Sequence, residues 1–245
     1  GMLPAGAYVT LEHEHVLIVR KGGKREFAAA TARRLRRESA LFWEERNQWF
    51  SDVWLELRGS RQELRRGASR PRSGAYPFEL AWRLIQMFSV RGDTVVDPFL
   101  GTGTTLRAAV AAGRNSVGYE IETGLHAEVF SGLDRWAAAA NARVAERIDE
   151  HLRFVEECRR TGRPLRHRNE PHGFPVVTAQ ERDMRLDLVD RVSSPEPGRV
   201  EAAYRPLERP AARAPGALEA PDALEPPSRK RKLPFQIRAG ASSTV

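Results

Sequence analysis

The sequence predicts an α/β fold in which an open parallel sheet carries helices on both faces, followed by a disordered C-terminal tail. Residues 94–121 show a strand pattern, a helical pattern and a second strand pattern, joined by short connections. Such a unit favours parallel pairing with a right-handed crossover. Residues 125–160 are alanine-rich and predict a long helix with one break. The chain from Pro206 onward holds seven prolines and a basic cluster, which is typical of disorder.

The N-terminal third contains weaker patterns. Residues 8–20 alternate and then run apolar through Val-Leu-Ile-Val at 16–19, which predicts a strand. Residues 31–45 are basic and then aromatic, and they predict one or two short helices. Residues 51–57 predict another short strand. Residues 58–73 are polar, with six arginines and two glycines, and predict an exposed loop.

The central third has the clearest patterns. Residues 77–90 begin with proline and carry an apolar stripe at helical spacing, which predicts an amphipathic helix. The stripe consists of Leu80, Ala81, Leu84, Ile85 and Phe88. Residues 94–97 predict a short buried strand, residues 104–112 a helix and residues 116–121 a second strand.

Length and composition limit the class of protein. The 245 residues suit one domain with an appendage or two small domains, and 41% hydrophobic residues suffice for a core. No apolar run approaches the ~18 residues that a membrane-spanning helix needs, and no secretion signal is present, so we expect a cytoplasmic protein without membrane contact. The single cysteine, Cys158, excludes an internal disulfide and a zinc cluster of paired cysteines, and we expect it to be inert within a helix. The net charge of +8 is compatible with a polyanionic partner.

The loop between the first central strand and its helix carries the candidate chemistry. Gly101 and Gly103 remove side chains where the backbone turns sharply and a ligand must approach closely. Thr104 and Thr105 stand at the start of the helix, whose free backbone N–H groups favour an anion such as a carboxylate. Asp97 ends its strand at the carboxyl edge, where open α/β sheets bind ligands, and its carboxylate suits a ligand ammonium.

Glu120 ends the second predicted strand, 19 residues after Gly101. An acidic side chain there can accept hydrogen bonds from ribose hydroxyls. S-adenosylmethionine has the ammonium, carboxylate and ribose that match this set, although two glycines also occur in simple strand–helix turns. A nicotinamide or flavin site fits less well, because the third glycine of its motif would fall at Leu106. A phosphate-cradling loop is excluded because no Gly-Lys-Ser/Thr follows.

These motifs resemble those of the DNA amino-methyltransferase family. DPFLGTGTT at residues 97–105, followed by GYEI at 118–121, resembles the family's donor-binding motifs, and YPFEL at 76–80 resembles the segment that closes over the methyl donor. Residues 13–21 resemble the His-Glu segment of members in which the catalytic motifs come first, the β arrangement. The resemblance covers roughly residues 1–140. It implies methyl transfer from S-adenosylmethionine to the exocyclic amino group of cytosine or adenine in DNA.

The resemblance also implies roles for particular residues. Asp97 and the glycine loop would hold the methionine part of the methyl donor, Glu120 the ribose, and Ile121, Tyr76 and Phe78 would border the adenine. The complete implied set of donor-binding residues is Asp97, Pro98, Phe99, Gly101, Gly103, Thr104, Thr105, Glu120, Ile121, Tyr76, Pro77 and Phe78.

The resemblance further implies a partial Rossmann-like methyltransferase sheet and a division of the chain. Residues 1–140 would form the C-terminal, donor-binding part of the methyltransferase domain. Residues 141–204 would form a helical extension, with two weak strands predicted over 174–204. Residues 205–245 would form a disordered basic tail rich in proline and alanine.

The family's catalytic loop is missing from this sequence. That loop is Ser, Asn or Asp followed by Pro-Pro and an aromatic residue, and it holds the target amino group of a flipped base. The only Pro-Pro, Pro226-Pro227, is followed by Ser228 in the low-complexity tail. We therefore expect the C-terminal portion of a restriction–modification methyltransferase, inactive alone, whose N-terminal half or partner chain supplies the loop. The alternative is a non-catalytic module that binds S-adenosylmethionine or DNA.

Four further features have a functional and a structural interpretation. His13 and His15 can suggest a metal site, but a structural strand is preferred. The arginines of residues 58–72 can meet DNA phosphates or lie in a solvated loop. The basic residues 229–232 can form an electrostatic anchor, but a solvated tail is preferred. Core packing is favoured over base stacking for five aromatic residues, Phe42, Trp43, Trp49, Phe50 and Trp54.

Overall fold

Helices and short strands follow one another in the computed structural model, which describes residues 13–57 and 76–208 and the backbone of residues 231–234 and 236–237. The helices are α1 (Ala30–Glu38), α2 (Trp43–Trp49), α3 (Phe78–Phe88), α4 (Thr104–Ala112), α5 (His126–Val129) and α6 (Leu133–Arg160). The strands are β1 (Thr94–Asp97), β2 (Asn115–Gly118), β3 (His167–Arg168), β4 (Pro175–Val176), β5 (Asp187–Glu196), β6 (Arg199–Pro206), β7 (Arg231–Pro234) and β8 (Gln236–Ile237). The α/β class predicted from the sequence is confirmed.

A three-stranded parallel sheet forms the centre of the α/β unit. β1 and β2 pair in parallel, with Val96 opposite Val117, and α4 connects them. β8 pairs in parallel with the other side of β2, which gives the strand order β1-β2-β8. The predicted strand–helix–strand unit is therefore confirmed, with the predicted bounds for β1 and α4. The second strand is shorter than predicted, because its ladder ends at Gly118 and residues 119–121 lie beyond it.

Two glycines and a run of small residues define α4. Gly103 precedes the helix with φ +84° and Gly113 follows it with φ +70°, both in the left-handed region that glycine adopts without steric cost. Leu106, Ala108 and Val110 are at most 1% exposed. Because α3 and α6 both pack against α4, its position and that of the loop before it are fixed by the core.

One hydrophobic core joins the central unit to the C-terminal hairpin. β5 and β6 pair antiparallel, and Val200 and Tyr204 of β6 belong to the same cluster as Leu106 of α4 and Trp82 of α3. The Tyr204 hydroxyl donates to a backbone carbonyl of α4 at 2.8 Å. The sequence-predicted boundary between residues 140 and 141 falls inside α6, a single helix of 28 residues. The structure thus joins the segments on either side of that boundary in one core.

The region after the sheet is helical and then more regular than predicted. α5 ends at Val129 and α6 begins after Gly132, which has φ +66°, so the single break predicted within residues 125–160 is confirmed. Cys158 is buried in α6. Where two weak strands were predicted over residues 174–204, the structure has the short β4, the ten-residue β5 and the eight-residue β6, which extends to Pro206. β5 and β6 are regular because they satisfy most of each other's backbone groups, with irregular pairing after Val189 and after Ser193. None of the helices within the described ranges is both long and apolar enough to cross a membrane.

Two of the predicted strands are wrong. Residues 13–20 have no regular structure, and residues 51–57 form a loop with bends, whereas residues 8–12 lie outside the described part. A strand needs a partner for its backbone groups, and neither segment pairs with any strand of the described residues. Residues 51–57 are held by side chains instead, since Arg83 donates to Glu56 at 2.6 Å.

Part of the predicted disordered tail has strand backbone. β7 pairs antiparallel with β6 and β8 pairs with β2, which differs from the disorder predicted for residues 205–245. Strand edges offer unpaired backbone groups that another segment can satisfy, and composition does not reveal this. The arginine-rich residues 58–72, and residues 229 and 230 of the basic cluster, lie outside the described part of the chain.

The aromatic residues of the N-terminal helices pack mainly into the core. Phe42 and Trp49 are at most 1% exposed, which confirms the predicted core role for both, and Trp43 and Trp54 are partly buried. Phe50 is 51% exposed, so the core prediction is wrong there. It follows the last residue of α2 and lies under an arginine guanidinium at the surface, 5.3 Å from its ring centroid.

A buried ion pair joins α2 to α6. Arg147 donates from Nε and Nη2 to the two carboxylate oxygens of Glu45, at 2.5 and 2.8 Å. Both side chains are at most 5% exposed. Burial acts to lower the pKa of Arg147, but Glu45 outweighs it and raises that pKa above its ordinary value. The pair therefore stabilises this helix contact only while both partners are present.

Candidate functional site

The glycine loop, residues 98–103, follows β1 at the carboxyl edge of the sheet. Gly101 and Gly103 have φ +56° and +84°, a conformation in which other residues are strained. A Cβ on Gly103 would lie 3.2 Å from the Val129 side chain, so the loop also packs closely on α5. Leu100 is buried, and its N–H donates to the Tyr119 carbonyl at 2.8 Å. The loop is thus attached to the chain beyond β2.

Asp97 is buried at the end of β1 and is held by two hydrogen bonds. Its Oδ1 accepts the Phe99 N–H at 3.0 Å, and its Oδ2 accepts the Tyr76 hydroxyl at 3.1 Å. The Tyr76 oxygen also lies 2.5 Å from Thr105 Oγ1. Burial raises the pKa of the Tyr76 hydroxyl, which keeps it protonated and able to donate. Three segments therefore meet around this carboxylate: the residue before α3, the loop after β1 and the start of α4.

Glu120 contacts the glycine loop directly. Its Oε2 accepts the Gly101 N–H at 2.7 Å and its Oε1 accepts the Glu122 N–H at 2.8 Å. The sequence predicted Glu120 at the end of the second strand, and this was wrong: in the structure Glu120 lies two residues beyond β2. Beyond β2, the Tyr119 N–H still donates to the Asp97 carbonyl at 2.9 Å, and the Tyr119 carbonyl accepts the Leu100 N–H of the glycine loop. Two buried acids, 9% and 7% exposed, now flank the loop.

The other predicted donor-binding residues divide into exposed and packed ones. Phe99 and Ile121 are 86% and 95% exposed, one within the loop and one just after Glu120. Phe78 stacks on Trp82 with ring centroids 6.0 Å apart and packs against the core. The remaining ones lie in the loop or at helix ends: Pro98 in the loop, Pro77 before α3 and Thr104 at the start of α4.

Two positions outside the predicted set shape the loop. A Cβ on Gly118 would lie 2.7 Å from both δ-carbons of Leu100, so β2 admits no side chain there. Glycine within a strand signals the close approach of another group, and the sequence contained that signal. Arg107 of α4 donates to the Thr102 carbonyl at 2.9 Å, and burial lowers its pKa. An arginine on a helix is ordinarily solvated, so no sequence signal marked this one.

The arrangement suits a ligand that carries a cation, hydroxyl groups and a flat apolar ring. Asp97 and Glu120 each accept two hydrogen bonds from the protein, whereas a carboxylate can accept about four. Both acids can therefore accept further bonds from an ammonium or from ribose hydroxyls. The exposed side chains of Phe99 and Ile121 offer apolar surface, and the first turn of α4 favours a carboxylate. These groups fit S-adenosylmethionine.

The histidines near the start of the described chain lie beside each other. The rings of His13 and His15 meet edge to face, with centroids 5.1 Å apart. Across residues 13–57 and 76–208, no group of three or more His, Cys, Asp or Glu side chains could hold a metal ion.

Known proteins share much of this sequence. The family model N6_N4_Mtase, described as DNA methylase, matches residues 1–130. The type II methyltransferase M.MthZI of Methanothermobacter thermautotrophicus is 52% identical over 186 residues, which cover 76% of this chain and 51% of the relative. The type II methyltransferase M.MjaI of Methanocaldococcus jannaschii is 50% identical over 125 residues, 51% of this chain and 40% of the relative. A crystal structure described as a DNA modification methylase of Thermus thermophilus, complexed with S-adenosyl-L-methionine, is 30% identical in sequence to this chain. The matched region covers 51% of this chain and 48% of the Thermus chain, with a TM-score of 0.36.

The matched region contains the site. Residues 1–130 include Tyr76, the glycine loop and both buried acids. The chain spans about half the length of the curated relatives it matches, 51% and 40% of the two above. The family predicted from the motifs is confirmed by the family model and by the identity to M.MthZI. This chain belongs to the DNA methylase family.

Proposed function

We propose that this chain is the S-adenosylmethionine-binding part of a DNA amino-methyltransferase. The enzyme transfers a methyl group from S-adenosylmethionine to the exocyclic amino group of cytosine or adenine in DNA. As a relative of type II methyltransferases, it acts in a restriction–modification system in the cytoplasm. The observation that carries the donor-binding role is the 2.7 Å hydrogen bond from the Gly101 N–H to Glu120, which brings the second acid against the glycine loop.

The residues of the site divide the methyl donor between them. Asp97 binds the ammonium, because a buried carboxylate forms strong charge-assisted hydrogen bonds. The bare backbone at Gly101 and Gly103 lets the methionine part approach, and the first turn of α4 attracts its carboxylate. Glu120 accepts the ribose hydroxyls. When bound, S-adenosylmethionine supplies a methyl group on a sulfonium, so the task of this chain is to hold and orient it.

Tyr76 acts on the acid rather than on the adenine. Its hydroxyl donates to Asp97 and lies within 2.5 Å of the Thr105 hydroxyl, so it fixes the direction of the carboxylate. Phe78 is packed on Trp82 and supports the start of α3. Phe99 and Ile121, both exposed, are the side chains available to border the adenine.

Methyl transfer needs residues that this chain does not supply. The family's catalytic loop contains Pro-Pro followed by an aromatic residue, and the only Pro-Pro here is followed by Ser228. We propose that the rest of the enzyme, or a partner chain, contributes that loop, and that this chain alone binds the methyl donor without methylating DNA. The net charge of +8 favours the DNA phosphates as a partner.

Isothermal titration calorimetry with S-adenosylmethionine tests the donor-binding role. The unmodified chain is expected to bind, and Asp97→Ala is expected to weaken binding at least about tenfold, since it removes a hydrogen bond to a charged group. Asp190→Ala is the matched control, because this carboxylate lies on β5 with 53% of its side chain exposed. Its affinity should stay unchanged. Absence of binding at millimolar S-adenosylmethionine would contradict the proposal.

A transfer assay with S-adenosylmethionine labelled in the methyl group, and DNA as acceptor, tests the division of labour. This chain alone should transfer no label. Transfer by the chain alone would show that it carries its own catalytic loop. Binding of the methyl donor without transfer, even after the rest of the methylase is added, would favour the non-catalytic module instead.

A further inference from the structure

We propose that a small cavity inside the protein binds one monovalent anion of halide size, such as chloride. The cavity measures about 20 Å³ and lies where α3, the end of α4, α6 and the start of β5 meet. The bound anion stabilises the contact between the α/β unit and the C-terminal hairpin. The charged residues that line the cavity are four arginines and two acids: Arg91, Arg114, Arg147, Arg185, Glu38 and Asp187.

The volume of the cavity limits the size of its occupant. A cavity of roughly 10–15 Å³ suffices for one water molecule, so this one holds a single particle of the size of water or chloride. A phosphate group or a carboxylate-bearing metabolite is too large. If the occupant is charged, it is therefore a small ion.

Arg114 brings a positive charge to the cavity wall without a carboxylate beside it. It is 1% exposed and donates to the Ser89 hydroxyl at 3.1 Å, the Ser89 carbonyl at 2.8 Å and the Ala112 carbonyl at 2.5 Å. All three acceptors are neutral, and none of the ion pairs within the described residues includes Arg114. Burial, and then the charges of Arg91 and Arg147, lower the pKa of Arg114 to about 9. An anion in the cavity would compensate this buried charge.

The carboxylates near the other three arginines are already engaged. Asp187 is shared by two of them, because it pairs with Arg91 and, at 2.9 Å, with Arg185. The third arginine of the wall forms the buried ion pair with Glu45. Glu38 pairs at 3.5 Å with an arginine of α1 that does not line the cavity. The wall therefore carries an excess of positive charge, which one anion would reduce.

Two neutral side chains of α3 add hydrogen-bond donors to the wall. Trp82 and Gln86 both line the cavity, and residues four apart lie on the same face of a helix. Trp82 is 1% exposed, and its Nε1 has no hydrogen-bond partner among the described residues. An indole N–H can only donate, and the amide of Gln86 offers two further N–H groups. A halide accepts without donating, so it suits this wall better than a water molecule, which must also place its own two hydrogens.

Differential scanning calorimetry of the full chain in sodium chloride and in sodium gluconate tests the anion site. Gluconate is too large for the cavity, and equal ionic strength keeps the screening of surface charges the same. Replacing about 200 mM gluconate with chloride should raise Tm by at least about 2 °C, because a ligand that binds only the folded chain stabilises it. Chloride NMR should show a line broadening that saturates with chloride and that bromide reverses.

Gln86→Glu supplies the cavity with a carboxylate from the chain itself. Because this carboxylate offsets the excess positive charge, the variant should raise Tm in gluconate by at least about 2 °C. It should also abolish the further rise in chloride and the saturable broadening of the chloride signal, since the two anions would repel each other.

Gln180→Glu is the matched control, because Gln180 is exposed and does not line the cavity. It adds the same charge and should keep the full effect of chloride on Tm. Four outcomes would overturn the anion site: equal Tm in the two salts, as a water-filled cavity gives; an effect of chloride that persists in Gln86→Glu; a lower Tm of Gln86→Glu in gluconate; or equal loss of the chloride effect in the control.

The anion site and the donor site are tested separately. Gln86→Glu should keep the S-adenosylmethionine affinity of the unmodified chain in calorimetric titration, since the cavity shares no residue with the predicted donor-binding set. Asp97→Ala should keep the effect of chloride on Tm. Failure of one proposal therefore leaves the other standing.

Discussion

Replacing Gly118 with alanine measures how tightly β2 supports the glycine loop. The new Cβ would lie 2.7 Å from both δ-carbons of Leu100 and 3.0 Å from its γ-carbon. Real Cβ atoms do not approach so closely, so Leu100 must move. Leu100 is 3% exposed and its N–H is bonded to the Tyr119 carbonyl, so it cannot turn into solvent without leaving the core. The loop must therefore shift with it.

The expected cost follows from this overpacking. Inserting a methyl group into a packed core destabilises by about 1–3 kcal/mol. For a chain of this size each kcal/mol lowers Tm by roughly 2–4 °C, so differential scanning calorimetry should show a fall of roughly 2–12 °C. Because Leu100 precedes Gly101, whose N–H bonds Glu120, calorimetric titration should also show S-adenosylmethionine binding at least about fivefold weaker, or ~1 kcal/mol.

Gly124→Ala is the matched control, because a Cβ there would meet nothing within 4 Å. It should change the unfolding free energy by less than about 0.5 kcal/mol. The double variant Gly118→Ala/Leu100→Ala should cost less than the sum of its two single variants, since the smaller residue removes the clash. If Gly118→Ala behaves like the control, or if the double variant is additive, close packing does not hold the loop.

Three further outcomes are expected. Tyr76→Phe should weaken S-adenosylmethionine binding about 2–12-fold in calorimetric titration, because it removes one hydrogen bond to the buried Asp97. Tyr119→Phe removes a hydroxyl from the same edge of the sheet and should leave the affinity unchanged. Equal losses of affinity in the two variants would contradict the role of the Tyr76 hydroxyl. Arg147→Met should lower the free energy of unfolding, measured in urea, by about 3–5 kcal/mol, because Glu45 stays buried without its partner. Replacing both residues by methionine should recover at least half of that free energy. A loss below about 1 kcal/mol in the single variant would show that the ion pair contributes little to stability. Burial acts to raise the pKa of Asp93, but hydrogen bonds from Arg25 and from the Val90 N–H outweigh it and hold the pKa below its ordinary 3.8 in the folded state. The stabilisation by Asp93 is therefore complete above that pH and is lost as the pH falls. Below roughly pH 4, the free energy of unfolding of Asp93→Asn should therefore fall less steeply than that of the unmodified chain, by at most about 1 kcal/mol. An unaltered dependence of stability on pH would contradict the contribution of Asp93.

The parts of the fold that the sequence predicted well depend on short-range signals. β1 and α4 have the predicted bounds because an apolar strand, two glycines and a run of alanines determine them locally. The same glycines and the spacing to Glu120 indicated the loop and its second acid, and the structure brings these together. The family followed from these residues as well.

The parts that the sequence missed depend on partners distant in the chain. Residues 13–20 have a strand pattern, but a strand forms only beside another strand. The hydrogen bond from Tyr76 to Asp97 joins two segments that are separated in sequence, and no local sequence pattern predicts that they lie close together. In both cases a tertiary contact, present or absent, decided the outcome.

The strands β7 and β8 follow β2 after a long stretch of sequence, yet they pair with β6 and with β2. During synthesis the N-terminal elements leave the ribosome first, so β2 emerges long before Ile237, its partner at Gly118. The last strand of the parallel sheet can therefore join only after residues 119–235 have been synthesised. A protein shortened by a premature stop codon within the tail would keep the glycine loop but expose β2 to aggregation with other nascent chains.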